Sequence, residues 1–398
     1  LVAVPGEEVT WYDSTGHINL FNAEWFVTAP GYVRGSGDNL GGVFPAGDFM
    51  YDLPTFYARL AVDGEVIGQF NHPSPNGKGN FDDFAHLTPE ADARMSLFEH
   101  KGPGYDAQWQ LALDSGWHVA PVFNGDEHSA NWVTSNPALT GVWADEKSLD
   151  GVHRAMAERS MYSTLDENAI LAFSANDQMM GSILPGDTDR ITAVVQVADP
   201  DADDSFQRVQ IISNSGRVAH DFGALSGAVL NLEVTLDVAD GDYYFVKATQ
   251  ADGAQLISAP VWIGETVRGA DYAPQIIIDA AAPERAEAGA RIALPSFTAT
   301  DDSGKAPATT VEVYNTEHRL AVTDGAFTVE GYDDHFIVIK ATDDQGNTAA
   351  KVHRIQVAAT DLDPEEVFRH LGTVATVGAE AGEAGLSTAT DVAVEKAW

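Results

Sequence analysis

The chain contains no cysteine, which excludes disulfides, thiolate zinc sites and cysteine nucleophiles. Basic residues are scarce: 22 Lys and Arg face 60 Asp and Glu, for a formal charge of -38. Such a surface repels polyanions, so binding to nucleic acid or an anionic membrane is disfavoured, while solubility, cations and a salty environment are favoured. No uninterrupted apolar run approaches the roughly 20 residues that span a bilayer, so no membrane span is expected. No basic segment precedes an apolar stretch at the start. The chain opens on Leu1-Val2-Ala3-Val4-Pro5-Gly6 without an initiator Met and closes on Lys396-Ala397-Trp398. A processed or truncated piece is therefore expected.

What is present fits a multidomain protein of α/β plus all-β class. At 398 residues and 44% apolar, two to four domains are the natural expectation. Residues 1–185 mix short apolar strands with helical patterns. Val66 to Asn71 reads as a strand that exits at His72-Pro73, and Trp117 to Phe123 as another that exits at Asn124-Gly125-Asp126. Tyr105, Trp109 and Leu113 recur at helical spacing within 105–115, and Leu149 to Glu158 predicts a second helix. From 186 the pattern becomes short alternating strands between Gly, Asp and Asn turns, which predicts a β-sandwich over 186–265 and a second over 272–358. Gly264 to Ala273 divides them, and 359–398 reads as a linker or tail with one helix at Pro364 to Leu371.

Without cysteine, any metal must be held by His, Asp, Glu or backbone oxygen. Asp126 and His128 stand at i and i+2, which places a carboxylate and an imidazole on one side of an extended segment. Glu8, Gly16-His17 and Asn71-His72-Pro73 supply further hard ligands at strand ends, where functional groups of parallel sheets and barrels gather. A single such His is more often a hydrogen-bonded structural residue, and His86, His100 and His118 are read that way. Arg34 and Lys78 lie in loops near the ligand strands and are candidate contacts for a substrate phosphate; a solvated surface role competes for both. Trp25, Tyr32, Tyr51 and Trp132 are candidate cleft walls or barrel packing. Arg159 and Tyr162 read as structural. Asp199 to Asp204 and Asp343 to Asn347 are oxygen-rich loops with Ca²⁺ potential, although neither has EF-hand spacing and acidic turns are ordinarily just solvated.

Taken in order, Glu8, Gly16-His17, His72-Pro73, Glu99 and Gly125-Asp126-Glu127-His128 resemble the later motifs of the polymerase and histidinol phosphatase (PHP) superfamily. His153 to Thr164 and the turn Asn176 to Gly181 extend the resemblance to its secreted, CehA/McbA-like metallohydrolase branch. It covers 1–185, and the sandwiches resemble the immunoglobulin-like modules appended to secreted bacterial hydrolases. The resemblance implies the C-terminal part of a distorted (β/α)7 PHP-type barrel with up to three Zn, Mn or Fe ions. Glu8 would bridge two metals, His17 and His72 would complete one site, Asp126 would serve another and His128 a third. The family's opening His-x-His motif has no counterpart, so an upstream fragment or a second chain is expected to supply it.

The expected activity is metal-dependent hydrolysis of a small molecule, foremost a phosphoester, by metal-activated water in an extracellular or periplasmic setting. Carbamate or carboxylic ester cleavage on the same metals is the near alternative. A noncatalytic cell-surface or assembly subunit with a degenerate barrel is the distant one.

Overall fold

The computed structural model describes residues 2–10, 15–23, 52–62, 65–74, 79–129, 131, 138–201, 204–315 and 318–358. Arg34, Lys78, Trp25, Tyr32, Tyr51, Trp132 and the expected helix at 364–371 lie outside the described residues.

Five strands build the first sheet: β1 (Gly6–Thr10), β2 (His17–Phe21), β3 (Ile67–Asn71), β4 (Met95–Glu99) and β5 (Ala120–Val122), hydrogen-bonded in that order. β1 and β2 pair antiparallel, as do β2 and β3, whereas β3–β4 and β4–β5 are parallel. Connection length explains the first pairing, because residues 11–16 are too few for the crossover of about a dozen that parallel neighbours need. The parallel pairs do carry such crossovers: α2 (Phe81–Phe84) and α3 (Pro89–Asp92) between β3 and β4, and α4 (Asp106–Asp114) between β4 and β5. α1 (Leu53–Val62) precedes β3, and α5 (Leu149–Ala157) follows β5.

Local chemistry sets these helices. Thr88 caps α3 by accepting from the Ala91 amide, with Pro89 in the first turn, and Ser148 caps α5 by accepting from Gly151. α4 buries Trp109, Ala112 and Leu113 at the expected spacing, while Tyr105 belongs to a short 3-10 turn that starts at Pro103. α2 is a single left-handed turn, with φ of 51°, 52°, 57° and 60° along Phe81 to Phe84. Burial of both phenylalanine rings against Phe70 stabilises that unusual backbone.

The expected part of a (β/α)7 barrel does not appear among the described strands. Their sheet is open, with β1 and β5 as its hydrogen-bonded edges, and its first two pairings are antiparallel rather than parallel. Over the described residues as a whole, strands outweigh helices.

The first sandwich draws strands from both sides of residue 185. One sheet runs β10 (Ile183–Leu184), β17 (Val261–Ile263), β15 (Tyr243–Gln250), β16 (Gln255–Ser258), β7 (Met161–Thr164) and β6 (Leu139–Val142). β12 (Phe206–Ser213) joins it through β15 and carries β13 (Arg217–Asp221). The other sheet runs β14 (Val229–Asp237), β11 (Arg190–Ala198), β8 (Ile170–Ala175) and β9 (Gln178–Met179). Hydrogen bonding thus crosses the expected division at 185/186, since β8 pairs with β11 and β7 with β16. Alternation fixes the inner faces: Leu171, Phe173 and Ala175 of β8 and Ile191, Ala193, Val195 and Val197 of β11 are buried in one core. That core also takes in Ile67, Leu97, Ala120 and Val122 of the first sheet.

The second sandwich has its own core of Val313, Phe327, Ile337, Ile339 and Ile355. Two of its strands, Arg291–Ala293 and Ser296–Thr300, follow each other with a short break between them. Pro295 stands in the gap, where the missing N–H cannot serve a ladder. Strands His335–Thr342 and Thr348–Ala358 lay Phe336, Val338, Ala350 and Val352 against Ala58 of α1.

Candidate metal centre

Register determines which side chains meet. Glu8 pairs with Asn19 across β1–β2, His17 with Asn71 and Asn19 with Gln69 across β2–β3. Directly opposed residues share a face, as do i and i+2, so Glu8, His17, Asn19, Gln69 and Asn71 form one polar face. Val9, Ile18, Leu20 and Phe70 occupy the other and are buried in the aromatic core. His72 follows directly after Asn71, where strand alternation would send it to the apolar face. Instead the strand ends, and φ of 31° at His72 redirects the side chain toward Glu8.

The three predicted ligands converge. Glu8 Oε1 lies 3.3 Å from His17 Nδ1 and 3.7 Å from His72 Nε2. The two imidazoles meet edge to face with centroids 4.8 Å apart. One ligand atom from each residue falls within 4.8 Å of the others. Side-chain exposures of 37%, 34% and 26% for Glu8, His17 and His72 leave the group open to solvent on one side. This donor set, two imidazoles and one carboxylate with room for a further ligand, fits Zn, Mn or Fe(II) as a single-ion site.

A supporting layer fixes the ligands. Asn71 Nδ2 donates to Glu8 Oε1 and to Asn19 Oδ1, both at 2.8 Å, and Gln69 Nε2 donates to Asn71 Oδ1 at 2.7 Å. The buried Glu99 accepts from the His72 backbone N–H at 2.5 Å and pairs with Lys101 at 2.8 Å. Hydrogen bonding from His17, then from His72, holds the Glu8 carboxyl far below the ordinary carboxylate range against partial burial. Glu8 in turn raises His72 above its usual value, with the charges of Glu99 and Asp126 adding to the effect. Burial pushes the Glu99 carboxyl up, and Lys101 offsets only part of that.

Asp126 and His128 do not join this group. They contact each other at 3.2 Å and are largely solvent-facing, with side-chain exposures of 41% and 87%. Their segment is not a strand, and Asp126 has a left-handed φ of 49°. The i, i+2 contact therefore forms by a turn rather than by extended geometry. The expected five-ligand set is thus three residues together and two beside them.

The remaining histidines behave as packing predicts. His100 is buried and meets Asp106 at 3.0 Å, and His118 is buried and meets Asp92 at 2.6 Å. His86 Nδ1 accepts from the Thr348 amide of the second sandwich. The Arg159 guanidinium stacks over Trp262 at 5.7 Å, and Tyr162 donates to the Ala169 carbonyl. Sequence reasoning missed the roles of Asn19, Gln69 and Lys101. Alternation of polar residues along His17-Ile18-Asn19 and Gln69-Phe70-Asn71 was the signal that would have found the first two.

No family model matches the chain, and no curated protein does. Among solved structures, Escherichia coli alpha-2-macroglobulin activated by porcine elastase aligns at 7% identity and a TM-score of 0.19, over 49% of this chain and 24% of that one. This chain therefore spans about a quarter of the macroglobulin. The N-terminal Ig1-2 module of the Drosophila receptor protein tyrosine phosphatase DLAR aligns at 12% identity and a TM-score of 0.17, over 48% of this chain and 100% of that one. Scores this low carry no argument about this chain's fold or chemistry. No helix among the described residues is long and apolar enough to cross a membrane.

Proposed function

We propose that the chain is a metal-dependent hydrolase of PHP type, acting on a small phosphoester outside the cytoplasm. The convergence of Glu8, His17 and His72 at an open end of a polar sheet face carries this reading. Those three residues would hold one divalent ion, which supplies Lewis acidity and a water of lowered pKa. Glu99 and Asn71 orient the ligands, and the apolar face behind them keeps the strands in register. Lys101 stands beside the site but is tied to Glu99. That engagement favours a less charged acyl substrate, a carbamate or carboxylic ester, as the second reading.

The test is hydrolysis of a phosphomonoester, a phosphodiester, an aryl carbamate and an aryl ester by metal-free protein reloaded with Zn²⁺ or Mn²⁺. Metal-dependent phosphoester turnover that His17→Ala and His72→Ala both abolish is the expected result. Turnover confined to the carbamate or ester selects the second reading. Metal binding without turnover on all four overturns the enzyme and leaves a binding module.

A further inference from the structure

A second cluster lies at one end of the first sandwich, far along the chain from Glu8. Asp166 sits in the β7–β8 connection, Asp199 follows β11, and Asp204 precedes β12. One carboxylate oxygen from each falls within 4.8 Å of the others. The three come from loops that join one sheet of the sandwich to the other, so sequence proximity explains Asp199 and Asp204 but not Asp166.

Cations do not neutralise this group among the described residues. Arg190, Arg208, Lys247 and Arg268 of the same sandwich pair with Asp237, Asp221, Asp106 and Asp242 instead. Asp199 is only 3% exposed; its Oδ1 accepts from the Asp201 amide at 2.7 Å, yet no cation offsets its charge among the described residues. An independent sign comes from Gln250, which is fully buried at the end of β15. Its Nε2 donates to Asp199 Oδ2 at 2.5 Å, which anchors the amide on the cluster, and its Oε1 has no hydrogen-bond partner. A buried amide oxygen with no donor, on a side chain held against Asp199, calls for a donor or a cation.

We infer that Asp166, Asp199 and Asp204, backed by Gln250, form a Ca²⁺ site that ties together the two sheets of the first sandwich. All the donors are oxygen, which suits a hard cation and separates this site from the imidazole-rich group at Glu8. Oxygens that lie within 4.8 Å of one another can share one ion at calcium–oxygen bond lengths of about 2.3–2.6 Å. Backbone carbonyls and water complete such a shell in a loop site of this kind. The ion neutralises charge where the β7–β8 and β11–β12 loops approach, so its effect falls on folding rather than on catalysis.

The test uses the full chain freed of metal with chelator, then titrated with CaCl2 by calorimetry and followed by thermal unfolding. The expected result is one Ca²⁺ per chain and a rise in Tm that MgCl2 at equal concentration does not reproduce. Asp166→Asn paired with Asp204→Asn keeps side-chain acceptors in place, including the one that caps the Asn168 and Ala169 amides. That variant should weaken Ca²⁺ binding at least roughly tenfold, because affinity follows ligand charge, and should lose most of the Tm rise. His17→Ala should keep both, which separates this site from the proposed hydrolytic one. No heat and no Tm rise in the unsubstituted chain up to millimolar Ca²⁺, or an undiminished response in the double variant, overturns the inference. Should the double variant not fold, Asp166→Asn alone gives the same reading.

Discussion

Glu8 is the residue on which the site turns, because its Oε1 is the atom that His17, His72 and Asn71 all approach. Asn71 holds that oxygen without being a ligand. Asn71→Ala should therefore lower metal affinity about 10–100-fold, as losses of ligand-orienting partners do, and should cost about 1–3 kcal/mol of stability because the buried Gln69 amide loses its acceptor; calorimetric titration with Zn²⁺ and denaturant unfolding read the two. A second prediction concerns pH. His72 is raised above its ordinary 6.5, so its pairing with Glu8 stabilises the metal-free protein below that value and fades as pH climbs through the raised pKa. Glu8 is depressed below 4.5, so its share is present above that value and fades as pH falls through the lowered pKa. The metal-free site is thus most stabilising between these limits. Metal displaces the His72 proton, so affinity should climb with pH through and above 6.5 and then level off. Affinity that is flat from pH 6 to 8 would sink this account. His17 and His72 were legible in sequence because polar residues at strand ends stand out against apolar runs, whereas Glu8, expected at a strand end, stands in the middle of β1. The left-handed turn at Asp126 was not, since no local pattern required it.

Among the elements, the β1–β2 hairpin and the left-handed α2 are built around each other. Gly16 precedes His17 with φ of 146°, and a Cβ there would meet the Phe81 ring at 2.3 Å. The Phe81 amide also donates to the Thr15 carbonyl at 2.9 Å. Gly16→Ala should cost about 1–3 kcal/mol in denaturant unfolding, the usual range for backbone strain, and should also weaken metal binding because His17 moves with it. Equal stability and affinity would show that the turn gives way freely. Most strands were legible from alternation, as in β11, where buried positions fall at every second residue. Proline breaks the ladder in two places: strands end and begin again around Pro260 and at Pro295. The pairing of β7 with β16 joins segments more than ninety residues apart, and alternation within a strand says nothing about a partner so distant.

Across the molecule, two hydrophobic cores each mix residues of the first sheet with residues of the first sandwich. Phe98 meets Trp109 edge to face, and Trp109 meets Phe245 of β15 the same way, with centroids 5.2 and 5.9 Å apart. Leu97 and Val122 share the other core with Leu171 and Val195. Cutting the chain between 185 and 186 would strip β8 of β11 and β7 of β16. The fragment 1–185 should therefore lack a cooperative thermal transition, whereas 272–358, with a separate core, should retain one; circular dichroism on each fragment decides it. A sharp transition in 1–185 would mean that the interdomain packing is dispensable. Composition could not have shown this, since apolar content is the same whether a core is private or shared.

The polar face at Glu8 also sets which changes in chain length the hairpin can absorb. Residues added between Thr10 and His17 lengthen the connection and leave the ladder Thr10↔His17 to Gly6↔Phe21 intact. One residue removed inside β2 would rotate everything beyond it by half a period, exchanging Asn19 for Leu20 opposite Glu8. Two removed would restore the pattern with a shorter strand. Length variation among natural versions of this hairpin should therefore gather in the connection, and within the strands come in even steps.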